Sequence, residues 1–342
     1  MNMPKAKSSK KLKLEECFLH SVASPVDLAR RLLIDLPDLE RLANADHRFK
    51  QWTTKKGRKI QEPVRELQVV HGRVMRLLSA VEPPLYLYSA VAGRSYITNA
   101  RQHVGAYPTV KLDLQKFFPS VKRAAIRNFF VREMKCAGDV ASILAKILTC
   151  NGALPTGSRA SSIMSFYAFK SMFDELGDLA IANNCTMTVY VDDIAISGEG
   201  ARPRLLVKAR RIIARYGLKS HKTKFFQALQ ARIITGVVVD PAGIALPHSR
   251  RVQIERGLAV LAAECDPKWK LEILTRLVSR VYEAAQIAPA EFLALATELS
   301  KARAELLKKA SELAVASVAP DRRSHLRLVH SDASTSDRVA SP

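Results

Sequence analysis

The sequence predicts an α+β fold followed by a helix-only carboxyl-terminal region, and three observations carry that expectation. Short β-branched runs alternate with helical stretches through the middle of the chain, as strands and helices of one layered core do. From Ser249 onward only helical periodicity remains. The chain has 342 residues, 48% of them apolar, enough for one large domain or two to three modules with a substantial core.

Taken in order, residues 1–13 carry Lys5, Lys7, Lys10, Lys11 and Lys13 with no apolar segment behind them, which is not the pattern of a secretory signal. Residues 14–45 have Val26, Leu28, Leu32, Leu33, Leu36 and Leu39 at helical spacing, with Ser24-Pro25 as a helix start, so 1–50 reads as a helical amino-terminal extension. His47–Ile60 is rich in Lys and Arg and reads as a basic hairpin or loop. Pro63–Ala80 is helical again through Val64, Leu67, Val70, Val74, Leu77 and Leu78. Thr109–Leu114, Thr186–Val191, Ile194–Ser197 and Ile233–Val239 read as strands. Helices are expected at 124–130, 139–149, 161–176 and 203–216, then at 249–264, 268–286 and 289–317, the last opening at Pro289. Residues 319–342 are polar and small with little periodicity, the composition of a disordered tail.

Lys plus Arg number 54 against 32 Asp plus Glu, a surplus of 22 positive charges that points to a polyanionic partner, nucleic acid first. Ribosomal and membrane-surface proteins share this composition, so charge by itself defines no chemistry. The five cysteines, Cys17, Cys136, Cys150, Cys185 and Cys265, form no C-x-x-C pair, which fits a reducing cytoplasm better than a disulfide framework or a zinc site. No run of eighteen apolar residues marks a membrane span.

The chemistry is carried by carboxylates. Tyr190-Val191-Asp192-Asp193 lies between two apolar runs, which places both aspartates at the tip of a β-hairpin. Asp is also an ordinary turn residue, so the string needs support from elsewhere. Upstream, Val110-Lys111-Leu112-Asp113-Leu114 is an apolar strand interrupted by one acid. A carboxylate at the end of a buried strand is costly without a cation. Two Mg²⁺ ions held by carboxylates from neighbouring strands and by substrate phosphates meet that need; a salt bridge from Asp113 to a Lys or Arg is the alternative.

These residues resemble the reverse transcriptases over about residues 60–245. Asp113 with Phe117-Phe118-Pro119-Ser120 is similar to the family's first catalytic motif. Leu154-Pro155-Thr156-Gly157-Ser158 with Ser161 is similar to the next, and Tyr190–Asp193 to the third. Gly217-Leu218 with Lys222-Thr223 resembles the fourth, and Ile234-Thr235-Gly236 the fifth, a primer-gripping hairpin. Thr156 stands where most members have Gln, and Ser161-Ser162 replaces the usual Ser-Pro. A threonine hydroxyl still offers a hydrogen bond.

The resemblance implies a right-hand polymerase: fingers at 51–106 with 124–152, an antiparallel palm at 107–123 and 153–248, and a helical thumb at 249–318. It implies catalytic Asp113, Asp192 and Asp193, which with the Leu114 carbonyl hold two Mg²⁺ ions, Mn²⁺ substituting. Phe118, Thr156, Gly157 and Lys222 would meet the deoxynucleotide triphosphate, Phe118 as a gate beneath the sugar and Lys222, or Lys224 instead, facing the leaving phosphate. On residue chemistry alone, Phe117 and Phe118 could equally both be core.

Asn99-Ala100-Arg101-Gln102-His103, an N-A-x-x-H string before the first motif, together with the V-T-G-like Ile234-Thr235-Gly236, resembles the bacterial retron reverse transcriptases. That implies Asn99, His103, Thr235 and Gly236 in RNA or primer binding, although His103 read alone could be a packing or capping residue. It further implies a cognate structured noncoding RNA, priming from a guanosine 2′-hydroxyl, a branched RNA–DNA product and anti-phage defence. Nothing after residue 245 resembles an effector, so a separate effector protein is expected. Arg250, Arg251, Arg256, Lys268, Lys270, Arg276 and Arg280 are expected to include phosphate contacts rather than only a solvated face. Two other classes share these motifs: a defence-associated enzyme that is template-independent or protein-primed, and a non-catalytic RNA-binding descendant.

Overall fold

The structure, a computed structural model, describes residues 11–45, 48–55 and 57–318. The lysines before residue 11 and the tail expected at 319–342 lie outside the described residues. The chain divides into two compact units, one ending at Pro247 and the other starting at His248.

In the first unit the amino-terminal stretch is broken into a 3-10 turn at Leu14–Glu16, α1 (Pro25–Arg31) and α2 (Leu36–Asn44). Ser24 opens α1 as its position predicts: its Oγ accepts from the Asp27 amide at 3.2 Å, and Pro25 occupies the first turn, where no amide is needed. Leu33, at φ 52°, turns the chain out of helix. This segment belongs to the main core, for Leu19, Val22, Leu28, Leu32 and Leu39 are fully buried in it. Each such side chain contributes about 1.5–3 kcal/mol of burial.

The basic stretch that follows is a hairpin, β1 (Phe49–Thr53) paired antiparallel with β2 (Lys59–Pro63). Then come α3 (Arg65–Ser79), which buries Leu67, Val70, Val74 and Leu78 at helical spacing, and the short α4 (Tyr96–Arg101) capped by Ser95. β3 (Thr109–Leu114) leads to α5 (Phe117–Ser120), α6 (Arg123–Arg132) and α7 (Gly138–Ile147). The helix expected at 161–176 divides at Phe169 into α8 (Ser161–Ala168) and α9 (Lys170–Ile181). β4 (Cys185–Tyr190), β5 (Asp193–Gly198), α10 (Pro203–Arg215) and β6 (Ser220–Phe226) complete the centre.

Four strands form one antiparallel sheet in the order β4-β5-β3-β6. Along β3, Val110, Leu112 and Leu114 are buried while Lys111 and Asp113 are only partly so, the alternation of a sheet with one covered face. The covered face meets α9 and α10; Leu112, Leu114, Ile194, Leu176 and Leu205 share its core. Lys111 and Asp113 therefore stand on the other face. The strand expected at 233–239 is instead a tight hairpin, β7 (Arg232–Ile234) and β8 (Val237–Val239), joined by β9 (Ile244–Ala245). Thr235 at φ 46° and Gly236 at φ 80° supply the two positive φ angles that a two-residue primed turn requires.

The second unit contains α11 (His248–Ala263), α12 (Pro267–Ile287) and α13 (Pro289–Val318). Asp266 caps α12, accepting from the amides of Lys268 at 2.7 Å and Trp269 at 3.2 Å. Leu274, Leu277, Val278, Val281, Phe292, Ala296 and Leu299 are buried within the unit. No helix among the described residues is long and apolar enough to cross a membrane. The described cysteines are all free thiols.

Candidate active site

The three aspartates meet at one end of the four-stranded sheet. Asp113 on β3 is the direct cross-strand partner of Asp193 on β5, so their side chains share a face, and Asp192 lies next to Asp193 in the β4–β5 turn. The Leu114 amide donates to the Asp192 carbonyl at 2.9 Å, which ties the end of β3 to that turn. The turn itself is strained. Val191 has φ 60°, a region costly for a β-branched residue and normally left to glycine at this position of a hairpin. Its amide donates to the buried Ser89 hydroxyl at 3.0 Å, and the flanking segment bonds to β4 through Tyr88 N to Val189 O at 2.9 Å and Val189 N to Tyr86 O at 2.7 Å. Such strain is held only where surrounding bonds over-determine it, and here it fixes where Asp192 sits.

The electrostatics are those of crowded negative charge. Burial holds the Asp192 carboxyl above its ordinary value, and the charges of Asp113 and Asp193 push it the same way. Asp193 Oδ1 lies 3.1 Å from Lys111 Nζ, yet that contact lacks hydrogen-bond geometry and leaves the buried oxygen without a donor. Asp113 Oδ1 is 3.2 Å from His221 Nδ1. The lysine contact that the sequence allowed for Asp113 thus falls on its neighbour Asp193. Neighbouring carboxylates on one face, one of whose buried oxygens lacks a hydrogen bond, are a donor set for hard divalent cations. Among the described residues no three His, Cys, Asp or Glu side chains gather into a group that could by itself hold a metal ion. A cation that draws its remaining ligands from substrate phosphates and water needs no such cage.

On the same face a cavity of about 500 Å³ opens between the sheet and the β7–β8 hairpin, lined by Lys111, Asp113, Lys222, Lys224, Arg232 and Ile233. Lys222 sits at φ 47° where two residues of β6 oppose one of β3, a bulge that brings both Lys222 and Lys224 to the cavity.

Phe117 is buried against Phe169 and Phe173, whereas Phe118 is only partly buried at the core's edge, its ring 6.3 Å from that of Phe117. Adjacent in sequence, the two rings therefore occupy different environments. Thr156 and Gly157 lie against β2. The Thr156 hydroxyl donates to Lys59 O at 2.9 Å and accepts from Gln61 N at 3.3 Å, and the Gly157 amide donates to Gln61 O at 3.0 Å. A Cβ at Gly157 would stand 2.8 Å from the Gln61 carbonyl oxygen, so only glycine allows this approach.

Asn99 and His103 occupy the interior. The His103 ring is fully buried, Nδ1 paired with Ser197 Oγ and Nε2 with Thr188 Oγ1, both at 2.7 Å. Burial, reinforced by the nearby Arg232 charge, lowers its pKa to about 3, so it stays neutral. With both ring nitrogens engaged on β4 and β5, this side chain has no edge left for RNA, which corrects the direct contact expected of it. The Asn99 amide faces Thr235 Oγ1 at 3.5 Å, its Oδ1 is buried without a partner, and Thr235 Oγ1 donates to Tyr96 O at 2.8 Å. Gly236 follows in that turn. The N-A-x-x-H segment thus braces the β7–β8 hairpin to the β4–β5 sheet. Arg232, which the sequence reading missed, completes the brace from β7: its guanidinium donates to the carbonyls of His103 and Gly105. Nothing in the local sequence marks that arginine as buried. Lys111 could have been found, since it is two residues from Asp113 on a strand.

In the second unit, Arg250, Arg251 and Arg276 are held by Glu283, Glu291 and Glu272. Arg256, Lys268 and Arg280 are exposed, and no ion pair engages them among the described residues.

The antiparallel sheet thus presents carboxylates from a central strand and an adjacent hairpin turn, on the face where a cation-lined cavity opens. The family model described as reverse transcriptase (RNA-dependent DNA polymerase) matches residues 43–253, and the chain belongs to that family. Retron reverse transcriptases are among the proteins it is similar to. The retron Se72 reverse transcriptase of Salmonella heidelberg (strain 579083-10) is 29% identical over 146 residues, 42% of this chain and 38% of that one. The retron Ec86 reverse transcriptase of Escherichia coli is 26% identical over 242 residues, 67% of this chain and 75% of the relative. The retron Mx162 reverse transcriptase of Myxococcus xanthus is 30% identical over 241 residues, 59% and 49%. The match thus spans less than half of the Se72 and Mx162 proteins and three quarters of Ec86.

Proposed function

We propose that this chain is the RNA-directed DNA polymerase of a retron, copying part of a cognate structured noncoding RNA into single-stranded DNA primed from a guanosine 2′-hydroxyl. The observation that carries the reading is the placement of Asp113, Asp192 and Asp193 together at one end of the sheet, in a chain of the reverse transcriptase family. The four-stranded sheet is then the palm, the β1–β2 hairpin part of the fingers and the second unit the thumb. Asp113 and Asp192, with support from Asp193 and the Leu114 carbonyl, would hold two divalent ions, Mg²⁺ with Mn²⁺ as a substitute. Bound there, the ions supply a lowered pKa at the primer hydroxyl and neutralise charge on the leaving pyrophosphate. Lys222 or Lys224 faces the departing phosphates from the cavity wall. Phe118 would pack beneath the deoxyribose and exclude a 2′-hydroxyl, while Thr156 and Gly157, held against β2, would shape the nucleotide pocket. Thr235 and Gly236 hold the primer end, positioned by Asn99 and His103 from behind.

The product is a branched RNA–DNA molecule, the setting bacterial cytoplasm and defence against phage, with a separate effector protein. Purified protein supplied with Mg²⁺, deoxynucleotides and its copurified RNA should yield DNA joined to RNA, resolvable by debranching and sequencing. DNA made with no RNA template, or joined to protein, would favour the defence-associated alternatives. No synthesis on any primed template would refute the enzyme.

A further inference from the structure

Between Glu199 and Asp240 the chain has no acidic residue, and α10 lies inside that interval. The helix buries Leu205, Ala209, Ile212 and Ile213 against the sheet face opposite to the carboxylates. Its outward side carries Arg204, Lys208, Arg211 and Arg215 at spacings of four, three and four, one continuous stripe along the helix. All four are exposed, and only Arg215 is neutralised, by Glu175. Like charges at these spacings repel and weaken a helix, so the stripe is maintained at a cost to the free protein.

A second observation lies at the end of this stripe. A cavity of about 450 Å³ opens between α10 and the start of β6, where Arg210, Arg211 and Lys219 converge with Gln115 and Ser220 and no acid lines the wall. None of those three cations has an ion-pair partner among the described residues. Arginine forks and a lysine around a concave, uncompensated site match phosphate chemistry.

We propose that the outer face of α10, from Arg204 to Arg211 and into the Arg210–Lys219 cavity, is a docking surface for the phosphate backbone of a structured RNA. The stripe from Arg204 to Arg211 rises about 10 Å along the helix axis and then meets the cavity, an arrangement for successive phosphates rather than one. A membrane surface is the poorer fit, because the apolar face that such a helix would insert is already buried in the core. The choice of RNA as the polyanion rests on the family reading above; the cationic surface does not.

The test is the triple variant Arg204→Gln, Lys208→Gln, Arg211→Gln, which keeps helix-compatible residues at exposed positions. Binding of a fluorescein-labelled RNA stem-loop is measured across a salt series, and deoxynucleotide addition to a DNA-primed RNA template is measured in parallel. Removing three phosphate contacts should flatten the slope of log affinity against log salt by about two and weaken binding roughly tenfold or more at moderate salt. The deoxynucleotide KM should stay within twofold. An unchanged slope overturns the proposal. So does a raised deoxynucleotide KM with unchanged RNA affinity, which would make the surface a nucleotide entry path. Loss of binding to phosphatidylserine vesicles in place of RNA would also overturn it. An inactive wild type that still binds RNA with the steeper slope would refute the polymerase reading and leave this surface standing.

Discussion

The buried imidazoles make the stability of this protein sensitive to mild acid. His103 is fully buried and lowered to about 3; His71, bonded to Ser158 Oγ at 2.6 Å and Ile147 O at 2.7 Å, is lowered by burial to about 4. In the unfolded chain each returns to about 6.5. Between those values the unfolded state binds more protons than the folded one. The stability these neutral rings contribute is therefore complete above pH 6.5 and is lost as pH falls towards the folded values. From pH 7 to pH 5 each ring should cost about 2 kcal/mol, and the two together about 4 kcal/mol, a large part of a typical domain's stability. Urea denaturation of the wild type and of His103→Gln at both pH values measures this. The variant should be weaker at pH 7, having lost at least one hydrogen bond, yet its further loss on going to pH 5 should be smaller than the wild type's by about 2 kcal/mol. Carboxylates titrating in the same range cancel in that comparison. Equal losses in both proteins would refute the neutral, buried His103. If His103→Gln does not fold, His71→Gln applies the same comparison to the other ring.

Replacing Asp192 and Asp193 together with Asn should reduce Mg²⁺-dependent extension to background while circular dichroism and RNA pull-down stay near wild type; retained synthesis would remove these residues from catalysis. Phe118→Ala should raise ribonucleotide incorporation relative to deoxynucleotide at least tenfold in single-nucleotide extension, whereas a proportional fall in both would make the ring packing alone. Phe117→Ala, which opens the core, should instead cost about 3–5 kcal/mol in denaturant titration. Asn99→Ala should slow extension on a generic primed template as much as on the native RNA, because the side chain faces the β7–β8 turn from within; a loss confined to the native RNA would return Asn99 to RNA recognition.

Much of the candidate site was legible because its residues lie in local strings. A Tyr-x-Asp-Asp run between two β-rich segments and one acid inside an apolar strand can be recognised without coordinates, and so can helix starts such as Ser24-Pro25 and Pro289. The period-2 pattern of β3 also placed Lys111 beside Asp113, although that signal went unused. β6 escaped notice because an edge strand rich in Lys has no apolar alternation to read, and with it went the partnership of His221 with Asp113.

Tertiary structure alone decided how distant segments share their polar groups. The spacing of Asn99 and His103 was visible, but whether those side chains meet RNA or the interior depends on Thr188, Ser197 and Thr235, far away along the chain. Burial of Arg232 likewise depends on the carbonyls of His103 and Gly105 arriving at its guanidinium. The Ser89 hydroxyl that holds the strained Val191 turn comes from a loop with no pattern of its own. Local propensity and periodicity determine which elements form and which face is apolar, since both depend on neighbours along the chain. The satisfaction of a buried polar group depends on whichever donor or acceptor packing brings within about 3 Å, and that is a property of the folded chain.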